Sequence, residues 1–217
     1  MIFGADLTWY LLGFIGLISL FFLFFQSPAE NPDLRQNNAQ NMGGVTSTLS
    51  RAIKKKKKKD KKVLAAISSD ARSLGAKLGV EPRGIVTFYS KNGAGEVMAD
   101  VLRSEVFKLI FEYAEVHVIT WVESDEEEQA AMQIFEDCGL VGDETSFKTQ
   151  PRHKFLFCSS EIGKRAFLRQ LKPQLHIDTD ESTLEDMSRF LPQLIQIGGT
   201  GDNGGKWRCV SSLSELN

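Results

Sequence analysis

Cys158 is the residue in this chain best placed for covalent chemistry. It ends the apolar run Phe155 to Phe157 and precedes a helix that Ser159 or Ser160 can cap. A thiol at a helix N-terminus is favoured as its nucleophilic thiolate, and the sequence strand, cysteine, loop, helix is how cysteine phosphatases hold phosphate. Such sites use an arginine six positions after the cysteine. Lys164 stands there instead, Arg165 comes one residue late, and Glu161 would sit inside the anion cradle. A buried, inert thiol is the better explanation, with a membrane-tethered phosphatase-like enzyme built on Cys158 as the alternative.

The other chemistry-bearing groups each lack a required part. Gly93 and Gly95 give the first βα loop the G-x-G of a dinucleotide fingerprint, and Glu123 ends the next strand where a ribose-binding acid would. Met98 replaces the third glycine and Glu96 would face the pyrophosphate, so the loop is expected to be a turn; a nucleotide-binding regulatory domain is the alternative. The glycines Gly199, Gly201 and Gly204 repeat the spacing with no βαβ unit after them. Asp178-Thr179-Asp180 resembles an aspartyl phosphotransferase motif, with little chain after it to supply partners. His176 has no triad around it. The acidic run Asp125 to Glu128 suits the first turn of a helix, where negative charge favours the dipole, better than a metal site. Cys138, Cys158 and Cys209 lack metal-ligand spacing and fit free thiols in a reducing compartment. No catalytic residue, cofactor, metal or small-molecule substrate is expected. What remains is a basic helix face, Arg165, Arg169 and Lys172 with Lys164 beside them. It suits an acidic patch on a partner or, equally, plain solvent.

These groups sit on alternating strands and helices. The apolar runs Ile85 to Tyr89, Val116 to Val122, Phe155 to Phe157, Leu175 to Asp178 and Leu194 to Ile197 suit strands buried on both faces. Between them the periodicity predicts helices over Glu96 to Tyr113, over Ser124 to Cys138 with the capping box Ser124-x-x-Glu127, and from Ser160 to Lys172, where Pro173 forbids another turn. A further helix over Val63 to Leu78, closed by Gly79, precedes them. The expected fold is α/β, a three-layer Rossmann-like sandwich with a largely parallel sheet of about five strands, over residues 63–198. Residues 199–217 read as a Gly-rich tail.

Leu7 to Phe25 is nineteen residues without a charge. At about 1.5 Å per residue it covers roughly 28 Å, close to the ~30 Å hydrocarbon core of a bilayer. A cleaved signal peptide would have a shorter apolar region behind a basic start, whereas Asp6 is the sole charged side chain before this one. Residues 1–25 are therefore expected to be a transmembrane anchor. Residues 26–62, rich in Asn, Gln, Ser, Gly and Lys, read as a flexible polybasic linker with a reach of about 30–37 Å. Within it Lys54, Lys55, Lys56, Lys57, Lys58 and Lys59 suit contact with anionic lipid, or a solvated spacer. Ten Lys/Arg against three Asp/Glu give residues 26–62 a net +7, and sixteen against twenty-four give residues 63–217 a net −8. The acidic folded part excludes a duplex-binding face, so no nucleic acid partner is expected, and the basic linker favours a cytosolic C-terminal domain.

The run F-C-S-S-E-I-G, then F-L-R-Q-L and H-I-D-T, followed by the amphipathic Leu184 to Leu191 and the apolar Leu194 to Ile197, closely resembles the C-terminal half of the peroxisome assembly protein 22 family. Weaker similarity reaches back through W-V-E-S-D-E-E-E to about Glu105, covering roughly the last half of the chain. The resemblance implies an anchor in the peroxisomal membrane followed by a cytosolic Rossmann-like domain. It also implies a partner: that family holds the peroxisomal ubiquitin-conjugating enzyme at the membrane and promotes its activity, so that import receptors are ubiquitinated and recycled. The Lys run and the Gly-rich tail have no counterpart in the resemblance.

Overall fold

Val86 and Phe88 point to one side of the first strand while Tyr89 joins the core on the other, so helices must cover both faces. The computed structural model describes residues 65–143, 146, 148–199 and 204–216, and they fold that way. After helix α1 (Ser69–Lys77) come β1 (Ile85–Tyr89), α2 (Ala99–Arg103), α3 (Glu105–Tyr113), β2 (Glu115–Trp121), α4 (Asp125–Asp137), β3 (Phe155–Cys158), α5 (Glu161–Leu171), β4 (Leu175–Asp178), α6 (Glu181–Met187), β5 (Leu194–Ile197) and β6 (Arg208–Val210). The sheet has six strands in the order β3-β2-β1-β4-β5-β6, and every pairing is parallel. Helices α1 to α4 pack on one face and α5 and α6 on the other. The expected parallel α/β sandwich is what forms. The anchor, the linker and the six lysines Lys54 to Lys59 lie outside the described residues; among the described residues no helix is long and apolar enough to cross a membrane.

The structure corrects the expected elements in four places. The helix expected over Glu96 to Tyr113 is two, because Ser104 leaves the helical region (φ −63°, ψ 148°) and its Oγ accepts from the Phe107 amide at 3.2 Å, capping α3. Residues 204–216 are no tail: β6 extends the sheet and a 3-10 helix, Leu213–Leu216, buries Leu213 and Leu216 in the core. Phe157 is only partly buried, although its ring lies on the α4 side and stacks on Phe135 at 6.5 Å, because β3 is an edge strand. The helix expected over Val63 to Leu78 is interrupted: Ala65 and Ala66 are helical, Ile67 and Ser68 are not, Ser68 caps α1 at Ser69, and Val63 and Leu64 lie outside the described residues.

The strand order reverses once, between β1 and β4. Chain leaving β1 turns one way to reach β2, and chain leaving β4 turns the other way to reach β5. Loops diverge there, and a crevice opens beyond the C-terminal ends of the two central strands.

Candidate functional site

A cleft of about 310 Å³ lies at that reversal, walled by Tyr89, Asn92, Trp121, Glu161, Lys164 and Asp180, among others. Each wall comes from the C-terminal end of a strand or the start of the following segment. At its base Lys164, 3% exposed, reaches out of the first turns of α5. Its Nζ donates to Asp178 Oδ2 at 3.1 Å and Asp180 Oδ2 at 3.2 Å, and lies 4.0 Å from the centroid of the Tyr89 ring. A desolvated ammonium survives only when so surrounded.

Asp178 is wholly buried and fully subscribed. Its Oδ1 accepts from the amides of Thr179 at 2.8 Å and Asp180 at 3.0 Å, while Oδ2 takes Lys164 and His176 Nε2 at 3.0 Å. His176 Nδ1 lies 2.9 Å from the Thr87 hydroxyl. All three groups are satisfied when the imidazole donates from Nε2 and Thr87 donates to Nδ1. Asp180 caps α6, accepting from the amides of Ser182 at 3.1 Å and Thr183 at 3.2 Å and from the Thr183 hydroxyl at 2.5 Å. Burial alone would raise the Asp180 pKa; the Thr183 hydroxyl and the Lys164 ammonium outweigh it and hold the carboxyl below its ordinary value. For Tyr89, burial and then the Asp178 charge act in the same direction, pushing the phenol well above its ordinary range.

The candidate nucleophiles are therefore committed to structure. Neither oxygen of Asp178 reaches solvent, and Asp180 is an N-cap. Lys164 and His176, from chain preceding the aspartate pair, hold it on one side, and Ser182 and Thr183, just after it, hold Asp180 on the other. Cys158 is 8% exposed, and its Sγ lies 3.7 Å from the Thr120 carbonyl oxygen. Burial raises its thiol pKa, against the pull of the Ser160 amide and Lys164. A buried thiol pushed further from ionisation lacks the activation that a phosphatase cysteine draws from its loop.

The Gly93 loop is likewise closed on itself. The Asn92 side-chain oxygen accepts from the amides of Ala94 at 2.9 Å and Glu96 at 3.0 Å, and Lys91 bridges to Val97 in antiparallel fashion. Amides spent on Asn92 cannot hold a pyrophosphate, so the turn reading stands. Behind it Lys91 pairs with Glu127, whose other oxygen accepts the Glu123 amide at 2.6 Å. The capping carboxylate of α4 thus reaches one residue further back than a capping box requires.

The basic helix face divides. Lys164 points into the cleft and leaves the proposed partner-binding set, because a cation buried between two aspartates cannot meet a partner. Arg165 is paired with Glu161 at 3.3 Å and Asp186 at 2.7 Å. Arg169 and Lys172 are exposed, the latter as the left-handed C-cap of α5 (φ 47°). Sequence reasoning missed Tyr89 and Trp121, which no motif flags: only the strand order brings them together.

A family model described as peroxisome biogenesis protein 22, haloacid dehydrogenase-like domain, matches residues 88–217, from within β1 to the end of the chain. Peroxisome biogenesis protein 22 of Arabidopsis thaliana is 32% identical over 99 residues, which cover 44% of this chain and 34% of that protein. The chain thus spans about a third of the length of this relative.

Proposed function

The chain belongs to the peroxisome biogenesis protein 22 family, and from that premise we propose that it serves peroxisome biogenesis as a non-catalytic membrane tether. In this reading Leu7 to Phe25 fixes the protein in the peroxisomal membrane by a single span, and the α/β domain faces the cytosol. There it recruits the peroxisomal ubiquitin-conjugating enzyme and promotes its activity, so that import receptors are ubiquitinated and recycled. The observation that supports the non-catalytic part is the commitment of the buried groups Lys164, Asp178 and Cys158, and of the cap Asp180, to internal bonds. Recruitment works through local concentration. An enzyme captured on a tether meets membrane-bound substrates at an effective concentration that reaches ~mM for short linkers, with no new contact to those substrates.

Calorimetric titration of the full chain, held in detergent, with the purified conjugating enzyme tests the recruiting role. A stoichiometric complex is expected; no heat and no complex in the tens of micromolar range would overturn it.

A further inference from the structure

The helix that sends Lys164 into the cleft turns another side to solvent. Along α5, Ile162, Ala166 and Arg169 are exposed at spacings of four and three, opposite the buried Lys164 and Leu168. Ile162 is 79% exposed, and Phe190, just beyond α6, is 60% exposed. The Arg169 guanidinium lies over the Phe190 ring, 5.2 Å from its centroid, so the line continues onto Phe190. From Ile162 to Arg169 is about 10 Å along the helix. The two most exposed large hydrophobics among the described residues therefore share one strip.

The charge along this strip is graded. At the Ile162 end Arg165 is neutralised by Glu161 and Asp186. At the Phe190 end Arg169, Lys172 and Arg189 are exposed, and none enters an ion pair among the described residues. Three uncompensated cations on a region of net charge −8 select an acidic partner. A lipid surface is a poorer match, because the exposed Glu161 beside Ile162 would be pressed against the same anionic sheet that the cations attract.

We propose that this strip docks an amphipathic helix of a partner protein. Its apolar side covers Ile162, Ala166 and Phe190, where the small Ala166 permits close approach, and its acidic flank meets Arg169, Lys172 and Arg189. This deepens the recruiting role and rests on it, the partner being the conjugating enzyme.

Binding of that enzyme to the full chain, by biolayer interferometry in detergent, tests the assignment with Ile162→Asp, Phe190→Asp and the pair Arg169→Glu with Arg189→Glu. All four positions are exposed, so unchanged thermal melting is the fold control. Each apolar substitution is expected to weaken binding about tenfold or more, and the charge reversal to slow association and flatten its salt dependence. Tight binding by the parent chain with unchanged binding by all variants would overturn the strip and leave recruitment standing. No binding by the parent chain would remove recruitment and this docking assignment together. Hydrogen exchange on the full chain in phosphatidylcholine nanodiscs, with and without phosphatidylserine, supplies the remaining outcome. Protection of Ile162 to Lys172 by the anionic lipid alone would make the strip a membrane contact and refute a helix as its occupant.

Discussion

Lys164 shows how one side chain fixes the character of a site. Removing its charge leaves Asp178, a wholly buried carboxylate, with His176 as its sole charged-type partner. Lys164→Met is expected to destabilise the domain by about 3–5 kcal/mol, read by urea denaturation. A loss below about 1 kcal/mol, the range of a surface pair, would show that the ammonium is solvated. Titration gives a second residue-scale prediction. Burial lowers the His117 pKa despite its bond to Glu115, so the folded state prefers the neutral imidazole. Its contribution is full above the unfolded value near ~6.5 and declines as pH falls toward the depressed folded value. Asp180 and Glu115, held low against the upward push of burial by Thr183 and Lys164 and by Lys154 and His117 respectively, keep their contributions above about pH 4 and lose them below it. The melting temperature should thus step down through about pH 6 and again below about pH 4, and His117→Asn should remove the first step.

Elements with strong local signals were legible in sequence and the rest were not, for physical reasons. The strands Ile85–Tyr89, Leu175–Asp178 and Leu194–Ile197 form at the bounds their apolar runs set, and α4 begins at the cap that Ser124 announces. The break at Ser104 went unread because Val101, Leu102, Val106 and Leu109 keep an apolar period across it, and the cap was hidden inside that period. β6 went unread because three residues beside glycines carry no periodicity; the strand exists through its pairing with β5. Gly75 is an element-scale requirement of the same kind. It lies where α1 crosses α3, and a Cβ there would come within 2.1 Å of Cε1 of Tyr113. Gly75→Ala should cost about 1–3 kcal/mol by calorimetry despite its higher helix propensity. A stabilised variant would show that the two helices can part.

At the scale of the whole molecule, the sequence separated an apolar start, a basic middle and an acidic α/β part, but only half of the candidate site could be seen in it. Asp178 and Asp180 were visible as a motif; their lock, Lys164, was misread as surface because helical spacing alone does not say which side faces the sheet. The proposed tether makes a prediction at this scale. Deleting residues 1–26 should release the protein from peroxisomal membranes, since no helix of spanning length occurs among the described residues. Fluorescence microscopy and membrane flotation read the result, and continued decoration of peroxisomes would refute the anchor.

The place of β6 at the sheet edge also constrains how the protein is made. Its 3-10 helix packs against α3 in the main core, joining residues near 213 to residues near 107. The core therefore cannot close until the segment around residue 213 has left the ribosome. During that interval the unfinished sheet exposes β5 as a bare edge, open to pairing with other strands.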